Sequence, residues 1–104
     1  MRARRRRSGI FRKMRGVDVT PDKQGLLFFT CRNYINLSED VKRRIDALCR
    51  QISKGDESYR AALFDLLTTN ESVTSISMRH CVGQTTIYRL RKEFYEEWYK
   101  KGPA

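Results

Sequence analysis

The sequence is poor in the residues that build metal centres and catalytic sites. It contains one histidine, His80, and three separate cysteines that form no Cys-x-x-Cys pair. A zinc site needs several ligands at characteristic spacings, and only Cys81 stands next to the histidine. A glycine-rich phosphate loop and clustered carboxylates are also missing, so acid–base or nucleophilic catalysis lacks its usual groups. We therefore predict that the protein is not an enzyme and has no catalytic residue, metal or cofactor.

Long apolar stretches are absent too. The longest apolar run, Leu26–Phe29, is far shorter than the roughly 20 residues that a membrane-spanning helix needs. The arginine-rich start lacks the apolar segment of a secretory signal. Three cysteines without a disulfide framework favour a reducing compartment, where Cys49 and Cys81 would serve as small packing residues. These features predict a soluble cytoplasmic protein that does not enter a membrane.

Positive charge is what the chain has in excess. It carries 22 basic and 12 acidic residues, a net charge of +10, which is typical of a polyanion-binding protein. Residues 1–15 hold eight of the basic residues and no acidic one, which leaves a net charge of only +2 for the rest. We predict a disordered basic arm over residues 1–24 and a helical domain over residues 25–104. The arm residues expected to contact phosphate or a minor groove are Arg4, Arg5, Arg6, Arg7, Arg12, Lys13 and Arg15.

The spacing of apolar residues predicts an all-α fold, a small bundle of about four helices. Val41 to Ile52 form one apolar stripe at helical spacing, and later segments show comparable stripes. Ser38, Asp56 and Asn70 are suited to cap the first three helices. The expected helices are Ser38–Ser53, Asp56–Thr68, Glu71–Cys81 and Gln84–Lys100.

The preceding segment, Leu26–Leu37 (LLFFTCRNYINL), shows no such stripe. It is rich in aromatic and β-branched residues, which favour an extended conformation. We expect it to be extended and to pack its phenylalanines against the helices.

A break at Val82-Gly83 separates the last two predicted helices by a few residues, which is the layout of a helix-turn-helix. Ser77 supplies a small residue where the helices cross, and Val82, Ile87 and Leu90 supply apolar residues for the core. The residues between them are types suited to base edges and phosphates. These outward residues are Gln84, Thr85, Thr86, Tyr88 and Arg89.

The stretch CVGQTTIYRLRKEF resembles the GVSxSTIYR segment of helix-turn-helix DNA-binding proteins. The four-helix layout is similar to the promoter-reading region of sigma factors and to phage late-gene activators of the RinA and ArpU type, with the match covering about Ser72 to Phe94. The resemblance implies a phage or mobile-element protein in a bacterial host cell. It implies DNA contacts by Gln84, Thr85, Thr86, Tyr88 and Arg89, with Lys92 on phosphate and Arg79 beside them.

Two positions depart from that family pattern. Cys81 stands where glycine is usual, and His80 where an apolar residue is usual. Because a left-handed backbone is unfavourable for cysteine, we expect Gly83 to adopt the unusual conformation instead. His80 is expected to be buried or half-buried in the core.

The leading hypothesis is a sequence-preferring protein that binds double-stranded DNA and regulates transcription, with RNA polymerase as a further partner. The alternatives are an RNA-binding, antiterminator-like protein that uses the arginine arm, or a DNA-packaging or recombination accessory protein. The last helix also carries a stripe of aromatic residues. This stripe is expected either to cover the arm or the Leu26–Phe29 segment, or to form a homodimer face. The residues expected at the dimer face are Tyr95, Trp98 and Tyr99.

Overall fold

The computed structural model describes Met14 and residues 16–100, and this part of the chain is helical without strands. A short 3-10 helix, Tyr34–Asn36, joins the first two α-helices. None of the helices in the described part is long and apolar enough to cross a membrane. The all-α prediction is confirmed, with five α-helices in these residues where the sequence predicted four. They are α1 (Pro21–Arg32), α2 (Glu39–Ser53), α3 (Glu57–Thr68), α4 (Val73–His80) and α5 (Gln84–Lys100).

Side-chain caps mark the starts of α2, α3 and α4. Ser38 accepts a hydrogen bond from the amide of Val41, and Asp56 accepts one from the amide of Tyr59, as predicted for α2 and α3. The predicted cap of α4, Asn70, is wrong. Its side-chain oxygen instead accepts a hydrogen bond from Arg32. Ser72 caps α4, accepting from the amide of Ser75 at 3.1 Å.

The prediction of an extended Leu26–Leu37 segment is wrong, because most of it belongs to α1. Thr20 caps this helix and Pro21 occupies its first turn, where a missing amide hydrogen costs nothing. The four consecutive apolar residues point in all directions around the helix, so the sequence shows no stripe. Only Leu27 among them is fully buried. The helix begins before the predicted domain boundary at residue 24, and the predicted arm residues lie outside the described part of the chain.

Two clusters of buried side chains hold the helices together. The larger one joins α1, α2, α3 and α5 and includes most of the predicted apolar stripes of α2 and α5. The smaller one lies under α4, where Ala62, Ile76, Val82 and Ile87 are all at most 3% exposed. The last two helices therefore have a core of their own, which supports α4 and the start of α5 from α3.

Candidate nucleic-acid interface

The turn between α4 and α5 is built around Ser77 and Cys81. Cys81 adopts the left-handed conformation, with φ of 56°, and its amide donates a hydrogen bond to the Ser77 carbonyl. The Val82 amide donates to the same carbonyl at 3.1 Å, and the Ser77 hydroxyl donates to the Val82 carbonyl at 2.6 Å. The expectation that Gly83 absorbs the unusual backbone is wrong. Cys81 does so, and its left-handed conformation brings its own amide and that of Val82 to the Ser77 carbonyl near the end of α4.

Five of the predicted DNA-contacting residues share one side of α5. They recur at intervals of about one helical turn and are all exposed, whereas Ile87 and Leu90 between them are buried. We call this surface the outer face of α5. Thr86 lies to its side and is only half-exposed. The outer face consists of Gln84, Thr85, Tyr88, Arg89 and Lys92.

The cations of the outer face have partly exposed carboxylate partners one turn further along the helix. Arg89 contacts Glu93 at 3.2 Å, and Lys92 contacts Glu96 at the same distance. Pairs of this kind on a helix surface stabilise by only about 0.3–0.5 kcal/mol. A phosphate group could therefore replace either carboxylate at little cost.

Arg79 differs from these cations, although the sequence grouped it with them. It donates to Asp65 at 2.8 Å and to both carboxylate oxygens of Glu71. The pKa of Arg79 is raised and that of Glu71 is lowered, in both cases mainly by the hydrogen bonds between their side chains. His80, half-buried as expected, shares Asp65 through a 2.8 Å contact from Nε2. These contacts tie α4 to α3, so Arg79 serves the scaffold in this structure.

The aromatic stripe of α5 packs against its own chain. Tyr95 and Trp98 are 3% and 8% exposed and belong to the larger core cluster. The Tyr99 hydroxyl donates to the carbonyl of Lys23 in α1, and the Arg44 guanidinium lies 3.7 Å from the Trp98 ring centroid. This arrangement agrees with the first of the two predictions, in which the stripe covers the N-terminal part of the chain. A homodimer through Tyr95 and Trp98 would require both side chains to leave the core, and the oligomeric state stays a prediction.

The sequence patterns missed Arg91 and the N-terminal segment, by which we mean Met14 and residues 16–20. This segment lies beside α5, where the Asp18 amide donates to Glu96 at 2.8 Å. Arg91 is neither on the apolar stripe nor on the outer face, and it lines a groove between α5 and this segment. No periodicity signals such a residue, because its surroundings come from a part of the chain more than 70 residues away.

Comparisons with known proteins do not suggest a function, so the geometry described above is the basis for proposing one. No protein-family profile matches the sequence, and no curated protein or solved structure is significantly similar to it. Among the described residues, no group of three His, Cys, Asp or Glu side chains is placed to hold a metal ion.

Proposed function

We propose that the protein binds double-stranded DNA with sequence preference through the outer face of α5, and that it regulates transcription in a phage or mobile element. The observation that carries this proposal is the α4–turn–α5 unit. Its turn is closed by Ser77 and Cys81, its own core cluster fixes the angle between the helices, and a polar, cationic face is left exposed. Rigid presentation of such a face is what reading of the major groove requires.

Four side chains of the outer face have roles suited to their chemistry. An amide such as that of Gln84 pairs with adenine, and a guanidinium such as that of Arg89 pairs with guanine, each through two hydrogen bonds. Thr85 suits a thymine methyl group or a phosphate, and Lys92 suits a phosphate. Gly83 precedes α5 and has no side chain to cap it, so amides of the first turn are left for a phosphate.

The basic arm adds affinity without adding much sequence information. Its charges would neutralise backbone phosphates, or enter a minor groove, next to the helix that reads bases. Neutralising six to ten phosphates predicts a slope of roughly −5 to −9 for the logarithm of the binding constant against the logarithm of salt concentration. A flat salt response, or no binding to duplex at low salt, would contradict the proposal.

The decisive experiment starts with selection of bound sequences from a random duplex pool. Gln84→Ala and Arg89→Ala should each lose about 1–3 kcal/mol on the selected site and little on scrambled duplex. Arg43→Ala is the matched control, because Arg43 is also exposed and pairs with Asp40 at 2.9 Å, much as Arg89 pairs with Glu93. Equal losses of binding free energy for Arg43→Ala and Arg89→Ala would show that the effect comes from net charge and would contradict base reading by α5.

A truncated chain separates the arm from the helix. Removal of residues 1–12 spares Met14, whose amide donates to Gln24 and anchors the N-terminal segment. Affinity should fall on every duplex alike and the salt slope should become shallower, while the preferred sequence stays the same. Loss of the preference would favour the antiterminator-like alternative, which a competition between duplex DNA and structured RNA then tests. Assembly of many copies on DNA, measured by mass in solution, would favour the packaging or recombination alternative.

A further inference from the structure

A groove runs beside the outer face of α5, between that helix and the N-terminal segment. Its volume is about 280 Å³. The segment that forms one wall is held by the buried side chain of Gln24, which accepts a hydrogen bond from the Met14 amide and donates one to the Val19 carbonyl, both at 2.8 Å. The groove is therefore formed by anchored backbone on one side and a helix on the other. Its lining residues are Met14, Val17, Tyr88, Arg89, Arg91 and Lys92.

Arg91 is the unusual member of this lining. Its Nε is buried without a hydrogen-bond partner, and within the described residues it forms no ion pair. Its guanidinium carbon lies 5.3 Å from the centroid of the Tyr88 ring. Burial is the main cause that lowers the pKa of Arg91, because its surroundings solvate the cation poorly. A cation held in this way calls for an anionic partner from outside the chain.

The chemistry of the lining indicates which anion fits. Among the described residues, three cations and no carboxylate line the groove, with Glu93 and Glu96 nearby as the partners of Arg89 and Lys92. The planar guanidinium of arginine matches the tetrahedral oxygens of a phosphate through paired hydrogen bonds. Tyrosine hydroxyls also contact backbone phosphates, and the Tyr88 ring beside Arg91 restricts where the guanidinium lies.

We propose that the groove binds a phosphodiester group of the DNA strand that passes along α5, with Arg91 as its principal cation and Lys92 and Arg89 beside it. The proposal rests on the function proposed above and extends it to a site formed by the N-terminal segment and α5 together. Contact at this site would fix the position of the strand relative to Gln84 and Arg89 without reading its bases.

The test follows the Nε–Hε signals of the arginines by NMR while the full chain is titrated with the selected duplex at low salt. The Arg91 signal should shift, because a phosphate bound to the terminal nitrogens changes the electronic environment of the whole guanidinium. Arg32 is the internal control, because its Nε is also buried without a hydrogen-bond partner. It lies outside the groove, over the Phe28 ring and bonded to Asn70. Its signal should stay in place.

Substitutions test the same point by affinity. Arg91→Met keeps the aliphatic part of the side chain and removes the charge. Arg91→Lys keeps the charge and removes the planar guanidinium with its paired hydrogen-bond donors. Arg91→Met should make the salt slope shallower by about 1 and weaken all duplexes alike, with the selected sequence still preferred. Arg50→Met, at an exposed arginine near Glu57, is the control for loss of one charge. Thermal unfolding of each variant shows whether a change in binding reflects a change in folding.

The outcomes distinguish a failure of the proposed groove site from a failure of the proposed function. Shifts of the α5 amides together with the Arg91 signal support both. Shifts of the α5 amides with a static Arg91 signal, and with Arg91→Met binding like Arg50→Met, overturn the groove site and leave DNA binding in place. A shift of Arg91 without any shift at Gln84 or Thr85 supports the groove and overturns base reading by α5. No shift anywhere at low salt overturns both.

Discussion

Replacement of Cys81 by glycine should stabilise the protein, because this residue carries a left-handed backbone at the turn between α4 and α5. Its φ of 56° and ψ of 43° lie in the region where a Cβ atom crowds the following carbonyl. Its side chain is exposed, so the loss of the thiol removes no core contact. The turn itself is held by backbone bonds to Ser77, which glycine preserves.

The expected gain follows from two opposing terms. A left-handed conformation costs a residue with a Cβ atom about 1–2 kcal/mol. Glycine also gives the unfolded chain more freedom, which offsets about 0.4–1 kcal/mol of that gain. Cys81→Gly should therefore be more stable than Cys81→Ala by about 0.8 kcal/mol, which corresponds to a rise in Tm of about 3–6 °C for a chain of this size.

The assay is urea and thermal unfolding of the two variants, followed by far-UV circular dichroism. Cys81→Ala is the reference, because it removes the thiol and keeps the Cβ atom. Lys54→Gly tests the same effect at a second residue, since Lys54 has a left-handed backbone with φ of 54° at the end of α2. It should gain stability for the same reason.

Gly83→Ala supplies the opposite expectation. Gly83 is not among the glycines with positive φ, and an added Cβ would meet nothing closer than the Thr86 hydroxyl oxygen at 4.0 Å. The substitution should change stability by no more than about 1 kcal/mol, because the gain from a less flexible unfolded chain opposes the poorer N-capping by alanine. If Gly83→Ala is strongly destabilised while Cys81→Gly gains nothing over Cys81→Ala, the left-handed residue is Gly83 and our account of the turn is wrong.

Three further outcomes test the fold and its buried groups. Leu27→Ala should lower the free energy of unfolding by about 2–5 kcal/mol, because Leu27 is buried in α1. Leu26 is 65% exposed, so Leu26→Ala should lower it by less than about 0.5 kcal/mol in the same urea titration. Equal losses would contradict the orientation of α1. A thiol-reactive dye at pH 8 should label one cysteine per native chain rapidly and all three after denaturation. Cys81 is exposed, whereas burial raises the pKa of Cys49 to about 12 and also raises the pKa of Cys31. Rapid labelling of two cysteines would count against this core. Between about pH 9 and 11 the free energy of unfolding should fall by up to about 1.4 kcal/mol per pH unit for each group. Tyr95 and the two buried thiols have raised pKa values in the folded protein, so the unfolded chain loses these protons first. A urea midpoint that does not change from pH 8 to 11 would contradict this.

Local signals in the sequence determined α2, α3 and α5. Their apolar residues recur at the helical period, and Ser38 and Asp56 satisfy amides within three residues of themselves. The break at Val82-Gly83 and the exposure of Gln84 and Arg89 follow from the same kind of short-range rule. Even α1 had a local signal that was missed, since Thr20 and Pro21 form a good helix start.

What only the tertiary structure decided is which partner each polar or aromatic side chain has. Arg79 and Arg89 are both arginines in a basic stretch, yet the first is held by Asp65 and Glu71 and the second stands on an exposed face. Arg91 has neither kind of partner among the described residues and lines a groove that it shares with the N-terminal segment, and Trp98 is buried because α2 packs beside it. Helix periodicity depends on neighbours three or four residues away, whereas these environments depend on contacts between distant parts of the chain, which no local pattern contains.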